Sequence, residues 1–185
     1  TGEFNGVLRD IDYERTDGLE NLQVFVDEGG AAPREFAVNS ASDLDAAGSP
    51  GTYNIYHDDE IAHLKVFEKS RNTSKTFIYK YTLKNVVTRY NDIAEFNRKI
   101  IDTGWDVPLY NIRIKVRLPE GASADEIRVF GHGPLTGESR IIDAQNVEFI
   151  LDRLDPGYYV ETLVLFPPRL VPGSTRVVSE DALQR

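Results

Sequence analysis

The chain of 185 residues has no cysteine, no methionine, one tryptophan and three histidines. Without cysteine there can be no disulfide, no thiolate metal site and no cysteine nucleophile. So few histidines leave little room for a histidine-centred triad. No apolar run approaches the roughly 18–20 residues needed to span a bilayer, and no signal peptide stands at the start. The missing initiator methionine suggests a soluble fragment excised from a larger protein. A phosphate-cradling glycine loop with Lys-Ser/Thr, a Gly-x-Ser-x-Gly elbow and a paired-histidine zinc helix are all absent.

What is present is ordinary globular material. With 41% hydrophobic and 28% charged residues, a real core is affordable and wholesale disorder is excluded. The length suits one domain of sandwich size, or at most two small ones. The net charge of −9 conceals an asymmetry: residues 65–117 hold 12 Lys and Arg against 5 Asp and Glu, leaving 9 against 25 elsewhere. A basic middle between acidic ends is compatible with binding an anionic surface or polymer. Charge balance within the folded domain is the plainer explanation of the same pattern.

Short alternating segments dominate. Phe4–Tyr13, Leu19–Val26, Thr52–Tyr56 and Ile61–Phe67 read as strands, punctuated by Asp17-Gly18, Gly29-Gly30 and the Ser-, Asp- and Gly-rich stretch 40–51. Thr76–Val87 places Phe77, Tyr79, Tyr81 and Leu83 opposite Ile78, Lys80, Thr82 and Lys84. Over Leu109–Leu118 the alternation is cleanest: Tyr110, Ile112, Ile114, Val116 and Leu118 face one way, Asn111, Arg113, Lys115 and Arg117 the other. One dry face and one wet face is the pattern of an antiparallel sheet. Further short strands follow around Ile127–Phe130, Arg140–Ile142, Val147–Leu151 and Tyr158–Phe166.

One helix is expected, over about residues 92–102. Asp92 followed by Glu95 has the spacing of a capping box, Ile93, Phe96, Ile100 and Ile101 share a helical face, and Gly104 is placed to end it. Trp105 would then plug the space between helix and sheet. The expected fold is mainly β: a single antiparallel β-sandwich over residues 1–170 with this one short helix, and a linker or the start of a second helix over 171–185.

Few residues suggest chemistry. His57, Asp58, Asp59, Glu60 and His63 could gather around a divalent metal if the segment folded back on itself, although an acidic turn between strands explains them more simply. His132 between two glycines reads as a turn residue. Arg113, Lys115 and Arg117, with Lys80 and Lys84, could meet phosphates. They lack the aromatic neighbours on that face that stack on bases, so no nucleic-acid partner is expected.

Three segments carry a family resemblance. They are residues 1–11, with Phe4, Gly6 and the Arg9-Asp10-Ile11 triplet; Tyr79-Lys80-Tyr81 with Val86-Val87; and Asp92 to Asn97 followed by Trp105 to Pro119. Gly131-His132-Gly133 and Leu154-Asp155-Pro156-Gly157 follow in order. In these the chain resembles bacterial membrane-anchored proteins known as the domain of unknown function number 2207. The resemblance implies an extracytoplasmic β-sandwich, with opening strands and a signal peptide upstream and transmembrane helices after the last strand. It supplies a place and no activity, catalytic residue or cofactor.

The expectation is therefore a non-enzymatic binding or envelope-interaction module, without cofactor or metal, on the extracytoplasmic side of a bacterial membrane. Its partners would be an anionic envelope polymer, lipid head groups or a protein, met through Arg113, Lys115 and Arg117. A metal- or carboxylate-dependent hydrolase of envelope material, using His57, Asp58, Asp59 or His63, and a structural spacer are the alternatives. Arg9, Asn97 and Trp105 are expected to be structural.

Overall fold

Leu22, Val24 and Val26 show how this chain folds: every second residue goes inward, and Val24 and Val26 are almost completely buried. The computed structural model describes residues 2–30, 32–39 and 43–183. The contacts draw a boundary at Lys84, giving two compact units, Thr1–Lys84 and Asn85–Arg185, where the sequence reading draws one domain over 1–170.

The first unit holds seven strands: β1 (Glu3–Asp12), β2 (Leu19–Asp27), β3 (Arg34–Glu35), β4 (Ala37–Val38), β5 (Thr52–Asp58), β6 (Ile61–Arg71) and β7 (Thr76–Leu83). They form one sheet in the order β1-β6-β5-β4 and a second in the order β3-β2-β7. Every ladder is antiparallel except β4 with β5. Ile11, Tyr53, Ala62, Leu64 and Val66 from the first sheet meet Val24 and Val26 from the second in one core. That makes the unit a small two-layer sandwich, with each fully buried Val or Leu worth about 1.5–3 kcal/mol. Gly6 permits the closest approach in it: a Cβ there would lie 1.8 Å from the Val66 carbonyl oxygen, at a φ of +155°.

The inward positions of β6 continue past the apolar core to Glu68, which is buried. Its carboxylate accepts from Lys75 Nζ at 2.5 Å and Arg34 at 2.9 Å, and Lys75 also meets Glu28 at 2.6 Å. Burial pushes the Glu68 carboxyl up, but the hydrogen bonds from Lys75 and Arg34 outweigh it and hold the group below the usual carboxylate range. Lys75 is held above the usual lysine range by its bonds to Glu28 and Glu68.

The second unit holds β8 (Val87–Arg89), β9 (Ala94–Ile101), β10 (Leu109–Arg117), β11 (Arg128–His132), β12 (Glu138–Ile141), β13 (Asn146–Leu154) and β14 (Val160–Phe166). Its sheets run β10-β13-β12 and β11-β14-β9-β8, all antiparallel. Val147 and Phe149 from one sheet pack with Ala94, Val164 and Phe166 from the other. This too is a two-layer sandwich.

The mainly β, antiparallel class expected from the sequence is what the structure shows. The expected helix over 92–102 is not there: those residues form β9, between β14 and β8. Ala94 and Phe96 alternate inward opposite Phe166 and Val164, and three β-branched isoleucines suit a strand better than a helix. Trp105 has no helix to pack against; it sits half-buried in the connection from β9 to β10. Tyr110 does not join the dry face of β10 either, being 58% exposed. Asn111, at a φ of +54°, resets the alternation so that Leu109 turns inward instead.

The segment after β14 is not a helix over its described residues, 171–183. It lies along the outer edge of β8: Arg89 exchanges backbone hydrogen bonds with Arg176 and Val178, and Asn91 donates to Glu180. Ser174 donates to the Val87 carbonyl. Residues 184 and 185 lie outside the described part.

Candidate functional site

The sheet β10-β13-β12 presents the basic stripe read from the sequence. Directly paired residues of an antiparallel ladder share a face, so the registers define its outer surface. Arg113, Lys115 and Arg117 of β10 stand opposite Ile150, Glu148 and Asn146 of β13. Arg140 of β12 stands opposite Glu148 from the other side, and Glu138 opposite Ile150. Four cations and two carboxylates therefore share this face.

Glu148 organises it. It is largely buried between its cationic neighbours and accepts from Arg113 at 3.1 Å. Arg140 pairs with Glu138. Among the described residues, Lys115 and Arg117 have no carboxylate within ion-pair distance, and both side chains are exposed. The stripe from the sequence is thus brought together, with Arg140 added and Arg113 partly neutralised. Neither Arg140 nor Glu148 could be attached to it without knowing the strand order. Lys80 of β7 instead places its ammonium over the Phe25 ring, and Lys84 pairs with Glu20, both within the first unit.

The acidic cluster at 57–63 is a hairpin. Asp59 and Glu60 occupy its turn at φ of +43° and +63°, joining β5 to β6. His57 pairs with Ala62 and Tyr56 with His63, so the two histidines project from opposite faces. His57 contacts the Tyr13 hydroxyl at 3.3 Å, while His63 meets Asp10 at 2.8 Å and stacks on Tyr56. They do not converge. Among the described residues no three His, Asp or Glu side chains are grouped to hold a metal ion.

His132, read as a turn residue, ends β11, with its Nδ1 3.0 Å from a Glu161 carboxylate oxygen. Arg9 points inward from β1 near Tyr79, whose phenol burial pushes up to about 12 against the pull of that guanidinium. Asn97 stands opposite Leu163 on the outer face of its sheet, with its side-chain oxygen buried and, among the described residues, without a hydrogen-bond partner.

The family whose model matches the chain is described as the N-terminal domain of a predicted membrane protein, DUF2207, and the match covers residues 1–166. The chain belongs to the DUF2207 family. All strands of both units lie within that match, including the basic stripe on β10 and the hairpin at 57–63. The segment along β8 lies beyond it. No curated protein and no solved structure matches the chain. No helix among the described residues of this DUF2207 domain is long and apolar enough to cross a membrane.

Proposed function

We propose that this DUF2207 domain is a non-enzymatic binding module on the extracytoplasmic face of a bacterial membrane protein. It engages an anionic envelope polymer through Arg113, Lys115 and Arg117. The observation that carries this reading is the pair of exposed cations Lys115 and Arg117, without a carboxylate at ion-pair distance among the described residues, beside Arg113 and Arg140 on one sheet face, in a chain whose net charge is −9. A repeating anion can span cations at alternate strand positions, about 6.6–6.8 Å apart at 3.3–3.4 Å per residue. Family membership supports the membrane association. The sidedness rests on the resemblance of the segments named above to membrane-anchored relatives.

A metal-dependent hydrolase centred on both His57 and His63 gains no support from their projection on opposite faces of the hairpin. A spacer would need no unpaired charge on one face.

The test is isothermal titration of the chain with polyphosphate and, separately, with vesicles containing phosphatidylglycerol. Binding to the polymer that disappears in the Arg113→Gln, Lys115→Gln, Arg117→Gln triple variant supports the reading. Binding to vesicles alone moves the ligand to lipid head groups. Binding unchanged in the variant removes the stripe from the site.

A further inference from the structure

The same sheet has two edges, and they are built differently. The Leu118 amide donates to Gln145 and the Ile142 amide to Asn146. Backbone groups alternate direction along a strand. Residues 147, 149 and 151 of β13 therefore serve β10, and residues 146, 148 and 150 serve β12. The outward-pointing backbone groups of β10 are then those of Arg113, Lys115 and Arg117. Charged side chains at an open edge discourage pairing with another strand. On β12 the outward-pointing groups are those of Ser139 and Ile141. Among the described residues β12 forms a ladder only with β13.

Beside that open edge is a slot into the sandwich. Ile112, Ile114, Phe149, Leu151 and Val160 line it, and Gly131 and Ser139 stand at its sides, where β11 and β12 meet through the turn after His132. Its volume of about 90 Å³ is somewhat more than half that of an engineered cavity of about 150 Å³ that holds benzene. That is room for one aliphatic side chain and far too little for a lipid tail. Ile141, on the same inward side as Ser139, is 38% exposed, and Leu135 in the adjoining turn is fully exposed.

We propose that the β12 edge is a docking site for an extended peptide segment of a partner protein. The partner strand runs antiparallel to β12 and exchanges backbone hydrogen bonds with Ser139 and Ile141. The partner residue opposite Ser139 places a side chain of valine or leucine size in the slot. Charge fixes the polarity of the partner. Glu138 and Arg140 lie on the outer face to either side of Ser139, so the partner carries a basic residue opposite Glu138 and an acidic one opposite Arg140. A lipid would leave the outward backbone groups of Ser139 and Ile141 to water; a strand satisfies them.

The experiment uses the full chain and the labelled peptides Thr-Val-Glu-z-Lys-Thr, with z as Ala, Val, Leu or Trp, read by fluorescence anisotropy. Affinity rises at least fivefold from Ala to Leu and falls again at Trp, which the slot cannot hold. Exchanging the Glu and Lys of the Leu peptide weakens it by at least fivefold, a comparison that needs no protein variant. Ser139→Pro removes an outward amide that β13 does not use, and Gly131→Leu fills the slot; each weakens the Leu peptide at least tenfold at an unchanged melting temperature. The proposal is overturned if affinity is indifferent to z and to the charge exchange. It is equally overturned if decanoate displaces the peptide, or if the chain dimerises through β12 and excludes it. The Arg113, Lys115 and Arg117 triple variant binds the peptide normally, so this test and that of the polymer fail independently.

Discussion

Asp92 accepts the backbone N–H groups of Ala182 and Leu183 through its two carboxylate oxygens, at 2.8 and 2.9 Å. The bond from Ala182, with the others, holds the Asp92 carboxyl below the usual aspartate range. One side chain thereby fastens the segment that runs along β8.

Asp92→Ala should release that fastening without disturbing the sandwich. The expected outcome is trypsin cleavage after Arg176 accelerated at least several-fold, with faster hydrogen exchange at Ala182 and Leu183 and unchanged exchange in β14. Because the folded group titrates below its unfolded value, the contribution is complete above the ordinary aspartate range. It is lost as pH falls through the folded value. Acidifying the wild type should therefore reproduce the variant. Unchanged cleavage in Asp92→Ala would show that the bonds of Arg89, Asn91 and Ser174 hold the segment without Asp92.

The Glu68 network predicts a second outcome. Removing one partner of a buried ion pair leaves an uncompensated charge and typically costs about 3–5 kcal/mol. Glu28 remains on Lys75, so Glu68→Gln should cost about 2–3 kcal/mol, at or below the low end of that range for a broken buried pair. Glu68 is held low, so its stabilisation is present above the ordinary glutamate range and lost as pH falls through the folded value. Chemical denaturation of the wild type at falling pH should show that loss. In Glu68→Gln it should be smaller. Equal slopes would mean that other carboxylates dominate acid unfolding.

Glu126 gives a third. Its carboxylate meets Arg169 at 2.6 Å and accepts from the Ser123 amide, and Arg169 first, then Ser123, draws it down to about 2. In Arg169→Ala its titration, followed by carbon-detected NMR, should move upward yet stay below the ordinary glutamate value, because Ser123 still donates. A value that does not move would assign the whole shift to Ser123.

The same Asp92 explains why one element was misread. Asp92 and Glu95 carry the sequence signature of a carboxylate waiting for free amides, and the chemistry was right. The amides belong to the chain's far end rather than to a helix of its own, and long-range pairing is invisible to a local pattern. Alternation over Ile112–Leu118 was legible because one face is dry and one wet. Tyr110 was not, since the reset at Asn111 depends on a backbone conformation. Arg113, Lys115 and Arg117 could be grouped by period, whereas Glu148, which sets how much of their charge is free, arrives from a strand whose register no local rule supplies. The boundary at Lys84 was hidden for a different reason: Asn85 makes a tight turn there at a φ of +50°, without any linker composition.

The central claim is that the outer face of β10 binds an anionic polymer by charge. The measurement that meets it most directly is the salt dependence of polyphosphate affinity for the wild type and for the triple glutamine variant. Exposed charges are screened within about 8 Å at physiological ionic strength. The wild type should bind more weakly as salt rises, with a clear slope of log affinity against log salt, and the variant should lose both affinity and slope. An affinity and slope identical in the two proteins would contradict the account.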